Sequence, residues 1–328
     1  MNVEIFAEWL RRQGHTIIHT PSSYWYDAGP KVLQAFPFDW LIQPSKDELR
    51  DLIFKRGNIA ARYSQPFDSA DGIVSYHVVL SGLYSIEKLR PQARNGIRRG
   101  LQYCQVEQIS FERLAKEGWI LQQDTLERQG RTRCMSQSQW ECICLSAQDL
   151  PGFEAWAAIV EGELAATMII SRIGDTFYVP YAQCYRKYLC MHANQALFYT
   201  ASCEMLKRDG VRKIFFSLHS LDAPESVNEF KFRIGIMLKP VRQKIVFNPV
   251  IQPFATPLAH NLLKQILKLD PHNPLVAKGE GMLRFYLQGK QPLAEQSCPK
   301  FMTEYLTKIR GIPACEGQNK ELFVHIQE

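Results

Sequence analysis

The run Asn228-Glu229-Phe230-Lys231-Phe232-Arg233-Ile234-Gly235-Ile236 follows a strand-like segment, Arg212 to Leu218, that ends in the polar loop His219-Ser220-Leu221-Asp222. The order is strand, polar loop, then a short helix with a lysine beside a phenylalanine and a glycine a few residues on. An ammonium at Lys231 can stabilise negative charge growing on an oxyanion or a leaving group. His219 and Asp222, at the C-terminal mouth of the strand, are groups that can take a proton from an amine. Together they suit a reaction in which a proton is moved while negative charge develops. Each also has a plainer use: Lys231 as a surface lysine on an amphipathic helix, Ser220 and Asp222 as turn residues before Pro224.

A second set is basic. Arg94, Arg98 and Arg99 cluster on one predicted helix, with Lys88 and Arg90 just before it. Guanidinium forks suit phosphate or carboxylate ligands; the alternative is a solvated helix face paired with nearby acids. His192 opens another predicted helix, where it could meet a phosphate or serve only as a helix-start residue. Arg186 and Lys187 lie in the basic loop before it, and Tyr181 and Tyr185 are aromatic candidates for lining a channel or for the core. No Ser-His-Asp order, metal-ligand cluster or P-loop stands out, and no cysteine sits where a covalent nucleophile can be argued.

These groups must be positioned by a mixed α/β chain. Val3, Phe6, Ala7 and Leu10 recur at helical spacing and Gly14 ends that helix. His15 to His19 is a strand candidate, and the aromatic, proline-broken run from Trp25 to Trp40 reads as a packed loop. Ser45-Lys46-Asp47-Glu48 has capping-box spacing before Leu49, Leu52 and Ile53. Strands are expected at Ile59 to Tyr63 and Ile73 to Leu80, then a basic helix from Ile86 to Tyr103 broken near Pro91. A strand from Gln105 to Ile109 and a helical stretch to about Ala147 follow. Asp149-Leu150-Pro151-Gly152 is the clearest boundary. Beyond it Phe153 to Val160, Leu164 to Arg172 and Phe177 to Cys184 form a predicted antiparallel meander. A helix from His192 to Lys207 and strands from Lys213 and Ile236 come next. Proline-punctuated segments at 258–269, 275–287 and 301–309 look helical.

Composition sets limits on the class. The 328 residues are 46% hydrophobic and 22% charged, as in an ordinary globular protein. The longest apolar stretch, Trp156 to Ile170, contains Glu161, Gly162 and Glu163, so no membrane insertion is expected. Met1-Asn2-Val3-Glu4 does not open a secretion signal. Nine cysteines without a Cys-x-x-Cys pair suggest reduced thiols and a cytoplasmic protein. A net charge of +6 permits phosphate-bearing partners without demanding them.

The order strand, strand, strand, helix, strand, helix, strand over 153–247 resembles the GNAT acyltransferase core, and more closely its FemAB-like branch, which includes the BioF2-like group. Phe230-Lys231-Phe232-Arg233-Ile234-Gly235 is similar to that branch's Phe-Lys-x-x-Phe-Gly helix, with Ile234 in place of the aromatic. Ala93-Arg94-Asn95-Gly96-Ile97-Arg98-Arg99-Gly100 resembles its basic helix, so the matches span about 90–245.

The resemblance implies charge stabilisation by Lys231, with Phe230 shaping the pocket. One departure concerns the donor. CoA-binding GNAT enzymes carry a (Gln/Arg)-x-x-Gly-x-(Gly/Ala) loop before the main helix, whereas Arg186 to Ala193 contains no glycine. A CoA pyrophosphate would then depend on side chains such as Arg186 and Lys187.

The expectation is an α/β, FemAB-like protein with two GNAT-like halves and a helical C-terminal region. The segments are 1–149, 150–247 and 248–328. It would transfer an acyl or aminoacyl group to a small-molecule or peptide amine by direct attack in a ternary complex. The donor would be acyl-CoA or aminoacyl-tRNA, with no tightly bound cofactor. The alternatives are an acetyl-CoA-dependent N-acetyltransferase and a non-catalytic binding protein retaining the fold.

Overall fold

The computed structural model describes residues 2–130, 135–218, 234–271 and 273–296. In chain order the first elements are α1 (Val3–Arg12), β1 (Ile17–His19), β2 (Tyr24–Gly29), β3 (Val32–Phe36), α2 (Lys46–Leu49), β4 (Ala60–Gln65) and β5 (Ile73–Ser81). Then come α3 (Pro91–Tyr103), β6 (Gln105–Ile109), α4 (Phe111–Glu117), α5 (Trp119–Arg128) and α6 (Gln137–Ala147). The rest are β7 (Phe153–Val160), β8 (Glu163–Ile173), β9 (Thr176–Cys184), α7 (Ala193–Leu206), β10 (Lys213–Leu218), β11 (Met237–Phe247), α8 (Pro257–Leu269) and α9 (Pro274–Gly289).

Two compact units emerge, each assembled from separate stretches: Met1–Thr16 with Val78–Met237, and Ile17–His77 with Leu238–Glu328. This grouping differs from the three consecutive segments expected from the sequence, and packing supplies the reason. The N-terminal helix α1 belongs with residues beyond the 149/150 boundary: Phe6 stacks on Phe153 at 6.0 Å, and Trp9 Nε1 donates to the Ile143 carbonyl at 3.0 Å. Strand β11 in turn pairs antiparallel with β4, from Arg242↔Gln65 to Phe247↔Ala60.

In the first unit the strand order is β10-β9-β8-β7-β6. The predicted meander is present: β7, β8 and β9 pair antiparallel. Helix α7 packs across β6 to β10, and α3 packs on α7. The buried face of α3 is Ala93, Gly96, Ile97 and Gly100, an i, i+3, i+4, i+7 stripe. Pro91 begins α3 rather than breaking it, because its missing N–H would be unpaired at a helix start anyway.

In the second unit the order is β1-β2-β3-β4-β11, followed by residues 73–77 of β5. The aromatic run read as a loop is instead the β2–β3 hairpin, with Trp25 opposite Ala35 and Lys31 at φ +53° in the turn. The period-two signal is hidden because every residue of β3 is buried. Ser45 caps α2, its Oγ accepting from the Glu48 N–H at 3.1 Å. Helices α8 and α9 form as expected, and the 301–309 segment lies outside the described residues.

Candidate active site

Among the described residues, the pairing of β9 with β10 stops short of the ends of both strands. β9 and β10 run parallel and are paired at Lys213↔Thr176, Ile214↔Phe177 and Phe215↔Tyr178. Beyond that register β9 continues to Cys184 and β10 to Leu218. β9 also takes an extra residue against β8, because Ile169 faces Tyr181 while Ser171 faces Tyr178. The bulge falls at Val179-Pro180, and Pro180 has no N–H to give a ladder. Past Tyr178 the described residues show no further pairing of β9 with β10.

The bulge also decides where Tyr181 goes. Residues three apart on a regular strand face opposite sides; here Tyr178 packs on Phe6 and Tyr181 on Trp9, both from α1. Trp140 closes on Tyr181 from α6 at 5.8 Å. Burial pushes the Tyr181 phenol up to about 12. Tyr181 is therefore packed between Trp9 and Trp140.

The loop from β9 to α7 is a tight 3-10 turn, Arg186–Met191. Asp124 of α5, buried to 7% of its side-chain surface, holds it. Its carboxylate accepts from the Arg186 backbone N–H at 3.0 Å, from the Arg186 guanidinium, and from Arg128 Nε at 2.9 Å. Burial alone would raise the Asp124 pKa, but the bonds from Arg186 and Arg128 outweigh it and the net shift is downward. Arg128 donates as well to the Cys184 carbonyl at 2.5 Å, and Thr125 Oγ1 accepts from the Cys184 N–H at 3.3 Å. Lys187 pairs with Glu163 at 2.9 Å and lies over the Tyr188 ring. Both loop cations expected to meet a donor are thus engaged within the protein.

The N-terminus of α7 is occupied too. His192 takes the left-handed conformation, at φ +57°. The Asn194 N–H points to the Cys184 sulfur, whose thiol is pushed up to about 12 by burial and so stays protonated. From the other side α3 presses in: a Cβ on Gly100 would lie 2.6 Å from the His192 carbonyl oxygen, and one on Gly96 would meet the Gln195 side chain. Free N–H groups at a helix start make an anion site; at this helix start, chain atoms crowd the approach.

Of the arginines on α3, Arg94 is half-buried while Arg98 and Arg99 are exposed. Glu87 is the acid beside them. Bonds from its own backbone N–H and from Ser85 chiefly lower its pKa, with Arg98 and Arg94 adding to the effect. The polypeptide just after the Phe-Lys segment returns to this place. Tyr84 OH donates to the Ile234 carbonyl at 2.8 Å, and Gly235, at φ +79°, fits closely against Leu89. Ile234 and Gly235 thus pack against Tyr84 and Leu89, the residues that lead into α3. Phe230, Lys231, His219 and Asp222 themselves lie outside the described residues.

Sequence reasoning missed Asp124, Arg128, Tyr84 and Cys184. The Asp124/Arg128 spacing of four on a helix was a readable sign of an ion pair. Its role in pinning a distant loop was not. A buried chain of amides and hydroxyl, Thr167 Oγ1 to Gln183 Oε1 at 2.8 Å and Gln183 Nε2 to Gln122 Oε1 at 2.9 Å, also braces β9 against α5.

No known protein family matches this sequence, and no curated protein does. Solved structures do. The crystal structure of FemX is similar with a TM-score of 0.51 at 11% identity, over 76% of this chain and 92% of that one. The C-terminal domain of a putative lysylphosphatidylglycerol synthetase from Agrobacterium fabrum follows at 0.49 and 10% identity, over 80% and 91%. A GCN5-related N-acetyltransferase from Kribbella flavida gives 0.42 and 10%, over 76% and 96%. The chain therefore shares the mixed α/β fold of FemX.

Proposed function

We propose that the protein is an acyltransferase that moves an acyl or aminoacyl group onto an amine by direct attack in a ternary complex. The observation that carries this is the parting of β9 and β10 past Tyr178 and Phe215, beside the strand that leads into His219. An acyl group held along the open edge of β9 would present its carbonyl to an amine entering from the β10 side. The amine nitrogen forms the new C–N bond while the carbonyl carbon releases the donor's oxygen or sulfur. His219 or Asp222 takes the amine proton, and the Lys231 ammonium stabilises the developing negative charge. Phe230 shapes the pocket beside it.

Between the two donor classes, aminoacyl-tRNA fits better than acyl-CoA. The loop lacks glycine, Arg186 and Lys187 are held by Asp124, Glu127 and Glu163, and the start of α7 is filled by Cys184 and α3. Arg94, Arg98 and Arg99 offer charge to a large anionic partner instead. The test is single-turnover transfer from labelled aminoacyl-tRNA to amine acceptors. Lys231→Ala is expected to lower turnover by at least ~10²-fold, the scale of one lost oxyanion donor. Unchanged turnover in a folded variant would remove Lys231 from the reaction, and transfer only from acetyl-CoA would favour the N-acetyltransferase.

A further inference from the structure

Helix α8 has two apolar faces, and among the described residues only one is packed on a hydrophobic cluster. Ala259 and Leu263 pack on the cluster of Ala60, Ile245, Phe247, Leu283 and Tyr286. His260 Nε2 pairs with Glu280 Oε1 of α9 at 2.8 Å, fixing the rotation of the helix. The other face carries Leu258, Leu262, Ile266 and Leu269, a stripe at helical spacing that points outward; Leu258, Leu262 and Leu269 are 80%, 62% and 88% exposed. Phe254 and Val250, in the segment leading into α8, are 73% and 63% exposed.

Charge separates a lipid partner from a protein groove. From Asn248 to Leu269 there is no aspartate or glutamate, and the charged side chains are Lys264 and Lys268, both exposed. By the 100° step of a helix Lys268 lies on the polar side and Lys264 lies one turn on from His260, and from there their long side chains can reach around toward headgroups. An acid-free helix with an outward leucine stripe and flanking lysines is the pattern of a helix that lies in an anionic bilayer interface. No helix among the described residues is long and apolar enough to cross a membrane, so α8 would lie on the surface and not span it.

We propose that α8 and the turn before it dock the protein on anionic lipid surfaces, with Leu258, Leu262, Ile266, Leu269 and Phe254 entering the interface and Lys264 and Lys268 meeting headgroups. This stands apart from the transfer reaction and does not depend on it.

The experiment is co-sedimentation of the full chain with vesicles of phosphatidylglycerol and phosphatidylcholine, against phosphatidylcholine alone. The expected result is pelleting with the anionic vesicles only, weakening as salt rises. Leu262→Glu should lower the partition coefficient about tenfold or more, and Lys264→Gln with Lys268→Gln by a similar factor, with unchanged thermal melts. Failure to pellet with either vesicle would overturn the proposal. So would a dimer dispersed by Leu262→Glu without vesicle binding, which assigns the stripe to a second copy. A cysteine placed by Leu262→Cys should be alkylated quickly in free protein and slowly with anionic vesicles, read by peptide mass spectrometry. Slow alkylation without vesicles would mean that the chain itself, residues 297–328 for instance, covers the stripe, and would also overturn it.

Discussion

Asp124 joins two elements of the candidate site through one carboxylate. Its buried carboxylate binds the Arg186 backbone, the Arg186 side chain and Arg128, so the end of β9 and the loop to α7 are tied to α5. Asp124→Asn should cost on the order of 2 kcal/mol at neutral pH, the scale of hydrogen bonds to a charged group. The pH sign follows from its lowered pKa. That contribution is complete above the ordinary aspartate value and is lost as pH falls through the lowered value in the folded protein. The gap in melting temperature between wild type and Asp124→Asn should therefore be large at pH 7 and shrink toward pH 3; an equal gap at both would refute the role. Gly235 supplies a second residue-scale case. Its φ of +79°, with a Cβ added there coming 2.8 Å from Leu89 Cδ2, predicts a loss of about 1–3 kcal/mol for Gly235→Ala, read from the urea midpoint. A glycine in a Phe-Lys-x-x-Ile-Gly run was visible in the sequence; that Tyr84 and Leu89 receive it was not, because that contact joins residues about 150 positions apart.

At the scale of elements, the meander, α3 and α7 were readable because each carries its own periodicity and its own stop signals, such as Gly210 beyond α7. The β2–β3 hairpin was not, since burial on both faces removes the alternation that marks a strand. The bulge at Val179-Pro180 was also hidden, and with it the packing of Tyr181 against Trp9 and Trp140. The contact between α3 and α7 yields a graded prediction. At Gly100 an added methyl meets a backbone carbonyl, while at Gly96 it meets the end of the Gln195 side chain, which can swing away. Gly100→Ala should thus cost roughly 1–3 kcal/mol by overpacking and Gly96→Ala distinctly less. Denaturant melts that rank the two the other way would contradict this close approach.

For the whole molecule, sequence order and spatial order diverge. The expected segment 150–247 has its own meander and helix, yet α1 covers its Phe153 and Tyr178, and its last strand pairs with β4. Expressed alone, 150–247 should show no cooperative thermal transition by circular dichroism, whereas the full chain should; a sharp melt of the fragment would restore the consecutive division. Such interleaving cannot be read locally, because composition marks the boundary at Pro151-Gly152 but not which distant strand completes which unit.

The same scale bears on the donor. The proposed preference for aminoacyl-tRNA rests on the start of α7, where the Asn194 N–H meets the Cys184 sulfur and α3 lies close against His192. Calorimetric titration of the full chain with acetyl-CoA, beside binding of labelled aminoacyl-tRNA, decides between the two donors. The expected outcome is no saturable CoA binding at micromolar concentrations and salt-sensitive tRNA binding weakened by Arg98→Ala and Arg99→Ala. Tight, stoichiometric CoA binding with no tRNA retained would contradict it.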